Sequence, residues 1–346
     1  ILPSKPPKSS NFRVLKRTHH KILFLGLLTV LAFVLNVSIG STDIPLPQLW
    51  QGFRGDGSYS LILWQFRLPK AVTCILAGSS LAAAGLLMQA LFRNPLAGPD
   101  VLGLSSGASL LVALTLLVTP LASSIFGTSW GIALAASTGS GLVFIMMLLL
   151  ARRMADSVSL LIVGLMMAAT TSSLVGILQY LSAADDLQAF IVWTMGTVGA
   201  TNWTEISVLS IAVGIGLVLA FAQIKSLNAF LLGEAYASSL GIRVRRARLG
   251  VVLATSLMVG AVTSFCGPIA FVGLAVPHLV RLAVPTSNHK HLLPAVVLGG
   301  ALLLLVCDLL AQLPGSTQLL PLNAVTSLIG APIVIWMVVR NKVTKV

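Results

Sequence analysis

The stretch L-L-P-A-V-V-L-G-G-A-L-L-L-L-V-C-D-L-L-A (292–311) decides the fold class: its 20 residues carry a single charge, Asp308, near one end. A helix of that length is about 30 Å long, the thickness of a bilayer's hydrocarbon core. Nine more apolar stretches fall near 22–39, 68–91, 100–118, 129–150, 159–180, 204–222, 249–265, 268–284 and 321–339. Across all 346 residues, 56% are hydrophobic and 9% are charged, where a soluble domain carries about 25% charged residues. So few polar side chains cannot cover a water-soluble surface. The fold class is all-α, a polytopic membrane protein of about ten transmembrane helices.

The charges test that count. The chain has 22 Lys plus Arg against 9 Asp plus Glu, a net charge of +13. With ten spans both ends lie on one side. Only Arg54, Arg67 and Lys70 then fall outside, leaving 19 basic residues inside, among them Arg93, Arg152, Arg153, Lys225, Arg243, Arg281 and Arg340. Such a split is the positive-inside pattern and puts both termini in the cytoplasm. The same scatter excludes nucleic-acid binding, which needs a folded basic surface. Residues 1–21 read as a disordered, basic cytoplasmic tail, and 22–346 as the membrane domain. The run 22–39 lacks a small-residue cleavage site, so it reads as a spanning helix and not as a signal peptide. Cys74, Cys266 and Cys307 sit singly in apolar runs as buried hydrophobes.

Motifs of chemistry are few. No G-x-x-x-x-G-K-[ST] occurs, so any ATP must be hydrolysed by another chain. Gly103-Leu104-Ser105-Ser106-Gly107 matches the nucleophile-elbow pattern, but it opens a Gly/Ser-rich membrane helix, where close packing explains it better than a hydrolase does. His289 and His291 flank Lys290 in a loop without metal-ligand spacing, and no cofactor is expected. Midplane carboxylates of the kind that couple carriers to protons or sodium are nearly absent; Asp308 and Glu205 lie near span ends. The pieces G-P-D-V-L-G-L (98–104) and G-P-I-A-F-V-G-L (267–274) echo each other and hint at two related halves. The largest inside segment, 223–248, has helical spacing through Leu231, Ala235 and Ser239, a central Glu234 and a helix-stopping Gly241. It reads as a lipid anchor or as a short interfacial helix that docks a cytoplasmic partner.

The longer motifs resemble a known family. R-L-P-K (67–70) and M-Q-A-L-F-R-N-P-L-A-G-P-D-V-L-G-L-S-S-G-A (88–108) are similar to the FecCD-type permeases, the transmembrane subunits of bacterial ABC importers for ferric siderophores, haem and cobalamin. So are L-L-G-E-A-Y-A-S-S-L-G (231–241), G-P-I-A-F-V-G-L-A-V-P-H-L-V-R-L (267–282) and V-T-S-L-I-G-A-P-I-V-I-W (325–336). The resemblance runs from about residue 22 to the end. It implies a permease homodimer in the bacterial inner membrane, with two separate ATPase subunits, a periplasmic binding protein and a metal-chelate substrate, most commonly a ferric siderophore. It also implies roles by residue. Leu231, Gly233, Glu234, Tyr236, Leu240 and Gly241 would form the ATPase-coupling segment. Arg67 and Lys70 would dock the binding protein. Ser157 and Val158 would form the cytoplasmic gate, along a pathway lined by small and apolar groups. A basic position of the family is Gln312 here, so one docking contact is lost or moved.

Overall fold

A computed structural model describes residues 8–40, 44–55, 59–118, 128–154, 157–312 and 320–343. Each of the ten apolar stretches holds a helix. In chain order the helices are α1 (Lys8–Ser38), α2 (Leu46–Phe53), α3 (Ser60–Leu91), α4 (Leu104–Leu117), α5 (Ser129–Arg153), α6 (Ser157–Leu181) and α7 (Ala184–Thr194). Then follow α8 (Trp203–Ala222), α9 (Ile224–Phe230), α10 (Glu234–Ser239), α11 (Val244–Cys266), α12 (Val272–Ala283), α13 (His289–Ala311) and α14 (Leu322–Val343). No strand occurs among the described residues. Of the expected tail, residues 8–21 are part of α1, which is already helical from Lys8, and residues 1–7 lie outside the described residues.

Seven of these helices are long and apolar enough to cross a bilayer, and α4, α12 and the apolar part of α14 are shorter. The shortening has a cause in sequence. A 3₁₀ turn, Pro99–Leu102, and a left-handed Gly103 (φ 73°) precede α4. Gly267 (φ 71°) and Phe271 (φ 66°), also left-handed, precede α12. Prolines 99 and 268 deny the helix a donor in the same places. The two echoing motifs are therefore irregular entries to half-length helices, not parts of full spans.

The core is built around α3, which packs against α8, α11, α12 and α13. Its middle, A-G-S-S-L-A-A-A-G (77–85), is almost wholly buried. Lipid tails are as apolar as leucine, so helices associate through close packing of small residues rather than by escape from solvent. The closest approach is at Gly85, where a Cβ would lie 1.9 Å from the Gly273 carbonyl oxygen of α12. A Cβ on Gly273 would in turn lie 2.5 Å from Pro99 Cδ and 2.8 Å from the Leu81 carbonyl oxygen of α3. The two echoing segments thus touch, with Gly273 against both α3 and the 3₁₀ turn. Around this core α1 packs on α13, while α4 and α5 pack together and α6 lies against α4. Of α6, only Ser157, Leu160 and Gly164 are buried.

Gly85→Ala is expected to cost about 1–3 kcal/mol through overpacking. Gly141→Ala, mid-helix in α5 where a Cβ would meet nothing within 4 Å, should keep or slightly raise stability, by up to about 1 kcal/mol. Thermal unfolding of the two purified variants in detergent compares them directly.

Candidate functional site: a tied coupling segment, a buried charge cluster and a hydroxyl-lined cavity

The basic residues collect at one end of the bundle, near Arg93, Arg153, Arg243 and Lys290. There α9 ends at Phe230, Gly233 turns the chain with φ 107°, and α10 follows. Ala237 anchors α10 by its buried face. The outward face shows Leu231, Leu232, Tyr236 and Leu240, all exposed. An exposed apolar face beyond the membrane helices has the character of a protein interface, whose centre is rich in aromatic and aliphatic groups. Leu232, not singled out from the sequence, is the most exposed of the four; adjacency to Leu231 on a short helix end was its only signal. Gly241 (φ 79°) closes the segment.

Glu234 behaves differently from its neighbours. Both its carboxylate oxygens accept from Arg248 Nη2 at 3.1 Å, and Oε1 also accepts a short hydrogen bond from Ser157 Oγ. Arg248, 2% exposed, donates through Nη1 to the Met154 carbonyl at 3.0 Å. That carbonyl belongs to the residue just past α5, and Ser157 opens α6. One carboxylate–guanidinium pair therefore ties α10 and α11 to the end of α5 at Met154 and the start of α6 at Ser157. The structure brings the expected coupling residue Glu234 and the expected gate residue Ser157 into direct contact. Val158, beside it, is exposed. Glu234 turns its carboxylate toward Arg248 and Ser157 while its side chain stays partly exposed, beside the exposed apolar groups of Leu231, Leu232, Tyr236 and Leu240.

At the opposite end the two expected docking cations are already occupied. Arg67 is 5% exposed and ends a π-helical turn, Leu63–Arg67, within α3. Its Nη1 donates to the carbonyls of Val37 at 3.0 Å and Ser38 at 2.7 Å. These are C-terminal carbonyls of α1, where a cation is favoured by the helix dipole and by acceptors that lack an intrahelical donor. Lys70 Nζ pairs with Asp308 Oδ2 at 3.0 Å. The same oxygen accepts from Asn36 at 2.8 Å and Gln312 at 2.7 Å. Arg67 and Lys70 thus hold α1, α3 and α13 together and do not project as free outward cations. Gln312, read as a lost docking contact, has become part of this buried cluster.

Between the two ends lies a cavity of about 450 Å³. Asp100, Ser105, Ser106 and Ser109 line it from the α4 side, Ser172 and Gln179 from α6, Phe190 and Thr194 from α7, and Pro268 to Ala270 from the entry to α12. Five hydroxyls, Asp100 and Gln179 stand in this lining beside Val175, Phe190, Pro268, Ile269 and Ala270. Ser105 Oγ donates to Asp100 Oδ1 at 2.8 Å, and no histidine lines the space, so the Ser-His-acid arrangement of a hydrolase is not assembled. Among the described residues no group of His, Cys, Asp and Glu could hold a metal ion. Helix α7, which closes one side, went unread in the sequence. It is 11 residues long with Asp185 and Asp186 in its first turn, too short for a span and too polar at its start to stand out.

A helical bundle with half-length helices, a polar inner cavity and an exposed interfacial helix at its basic end defines a multi-pass membrane permease. A family model, the FecCD transport family, matches residues 28–340. The chain belongs to that family, and it is a permease of the metal-chelate ABC importer type, a transport subunit and not the ATPase. It is 34% identical over 324 residues to the hemin transport system permease of Yersinia pestis, covering 92% of this chain and 96% of that protein. It is 36% identical over 331 residues to the vitamin B12 import system permease of Klebsiella pneumoniae, covering 94% and 96%. Among solved structures it is similar to a metal-chelate type ABC transporter in an inward-facing conformation, with a TM-score of 0.80, 27% identity and coverage of 92% and 98%.

Removing one partner of a buried ion pair costs about 3–5 kcal/mol, because the other charge is left stranded. Lys70→Met is therefore expected to lower stability by about that amount, and Lys70→Met combined with Asp308→Asn by clearly less. Thermal unfolding of the single and double variants gives the comparison; equal losses would show that the pair does not bear load.

Proposed function

We propose that this chain is the membrane subunit of a binding-protein-dependent importer that carries a ferric siderophore across the bacterial inner membrane. ATP would be hydrolysed on two separate subunits. The observation that carries the coupling half of this reading is the Ser157–Glu234–Arg248–Met154 cluster. An ATPase seated on Leu231, Leu232, Tyr236 and Leu240 would move α10, and the carboxylate of Glu234 would pass that motion to the end of α5 and the start of α6. Ser157 and Val158 then act as the gate at the basic, cytoplasmic end, with both termini on that side.

The pathway is proposed to run through the hydroxyl-lined cavity and to be completed by a second copy of the chain. Helix α6 supports that: Ala169, Thr170, Ser172, Ser173 and Gly176 are exposed on it, and small and hydroxylated residues favour helix association in lipid. For the substrate, four serines, a threonine, a glutamine and Asp100 give many weak hydrogen-bond partners to a hydrophilic chelate. This favours a ferric siderophore. A second reading, haem or a cobalamin, draws on what the two named relatives transport.

The test is ATP turnover and uptake by the chain co-purified with its ATPase in liposomes, using binding proteins loaded with ferric siderophore, haem or cobalamin. Stimulation by the siderophore-loaded protein alone is expected; stimulation by the haem- or cobalamin-loaded one would select the second reading. Failure to co-purify with any ATPase would overturn both. In the working complex, Glu234→Gln should lower transport per ATP about tenfold, the worth of one charge-assisted hydrogen bond, while ATPase association is kept. Tyr236→Asp should lose that association.

A further inference from the structure

Helices α1, α12 and α13 leave a groove between them that no step of transport uses. It consists of two cavities, one of about 360 Å³ at the basic end and one of about 300 Å³ further in. His20, Lys21 and Phe24 line the first; Val276, Gly299 and Val306 are among the residues lining the second, all of which are apolar. Leu25 and Ala283 line both, so the two form one track. From Ala283 to Val276 along α12 the track descends about 10 Å into the bilayer region at 1.5 Å per residue. A water-soluble ligand has no use for such a lining, whereas an acyl chain does.

The mouth of the track is basic. Lys21 Nζ is held there by a hydrogen bond to the Ala283 carbonyl at 2.7 Å and remains exposed. Lys290 stands in the first turn of α13, next to His291, whose ring meets that of His19 edge-on at 5.4 Å. No carboxylate lines either cavity. The acidic residues with described positions are engaged elsewhere: Glu234 with Arg248, Asp308 with Lys70, Asp100 with Ser105 and Glu205 with Ser129, while Asp185 and Asp186 start α7 at the opposite end. An interfacial pocket with fixed positive charge above an apolar track matches an anionic lipid headgroup above its acyl chain.

We propose that this groove is a binding site for an anionic phospholipid, with Lys21 at the phosphate and the chain lying along Leu25, Val280 and Gly299. The site joins α1 to α12, whose first residues form part of the irregular segment that borders the hydroxyl-lined cavity. It stands independently of which chelate is carried.

The test uses the purified full chain in detergent, exposed to equal amounts of phosphatidylglycerol and phosphatidylcholine, with retained lipid read by native mass spectrometry. Phosphatidylglycerol should be retained about fivefold over phosphatidylcholine, the worth of one lysine near an anionic surface. Lys21→Ala should bring the two to parity, and Lys21→Arg should keep the preference. Ala283→Phe, which fills the junction of the two cavities, should lose both lipids. Lys225→Ala, a basic position at the same end but away from the groove, should behave as wild type. Equal retention by the wild type, a preference that survives Lys21→Ala, retention by Ala283→Phe, or loss on Lys225→Ala would each overturn the proposal.

Discussion

The close approach of α3 to α12 at Gly85 and Gly273 governs the rest of the structure. Lipid supplies no hydrophobic drive between helices, so the bundle must gain its stability from contacts that only small residues permit. Once Gly273 sits against α3, Pro99 can seat against it as well, and the entry to α4 is fixed to the first turn of α12. Backbone that is not helical is tolerated at membrane depth only when protein surrounds it or a polar cavity receives it. Both conditions hold here. Gly98 and Pro99, at the start of the 3₁₀ turn before α4, lie against Leu274 and Gly273 in the first turn of α12, and Asp100 of the 3₁₀ turn lines the same cavity as Pro268 to Ala270 before α12. The same contact that stabilises the bundle therefore shapes that cavity.

Charge is used sparingly, and in two places it ties helices together. At one end Asp308 gathers Lys70, Asn36 and Gln312, while Arg67 closes the last turn of α1. At the other, Glu234 gathers Arg248 and Ser157. Each cluster compensates a charge that would be costly to strand inside a protein in lipid. Their consequences differ. The first makes a static knot among α1, α3 and α13. The second joins an exposed helix to the adjoining ends of two membrane helices, so a push on α10 has a hydrogen-bonded route inward. A family position that reads as a docking cation is, in this chain, a fastening within the subunit.

Much of this was legible in order of residues alone. The apolar stretches located every long helix, because a window of about 20 apolar residues has no other stable use. The uneven distribution of lysine and arginine separated the two ends. The motif L-L-G-E-A-Y-A-S-S-L-G located the interfacial helix and Gly241 marked its end, whereas the turn at Gly233 that sets its start emerged only from the backbone. What escaped were short or locally polar elements. Helix α7 begins with two aspartates, the π turn at Leu63–Arg67 has no compositional mark, and α4 and α12 appeared as full spans because apolar loops and apolar helices read alike.

The sequence by itself determined that this chain crosses a membrane many times, which end is basic, that it lacks a phosphate loop, and to which family it belongs. Each of these depends on composition or on residues close together along the chain. Only the tertiary structure decided the fate of individual charges and hydroxyls. Lys70 meets Asp308 and Glu234 meets Arg248 and Ser157 across separations that no local pattern encodes. Whether a cation is exposed or a buried strut, and which hydroxyls share a cavity with Asp100, depends on which helix faces are turned toward one another. That is set by the packing of small residues around α3.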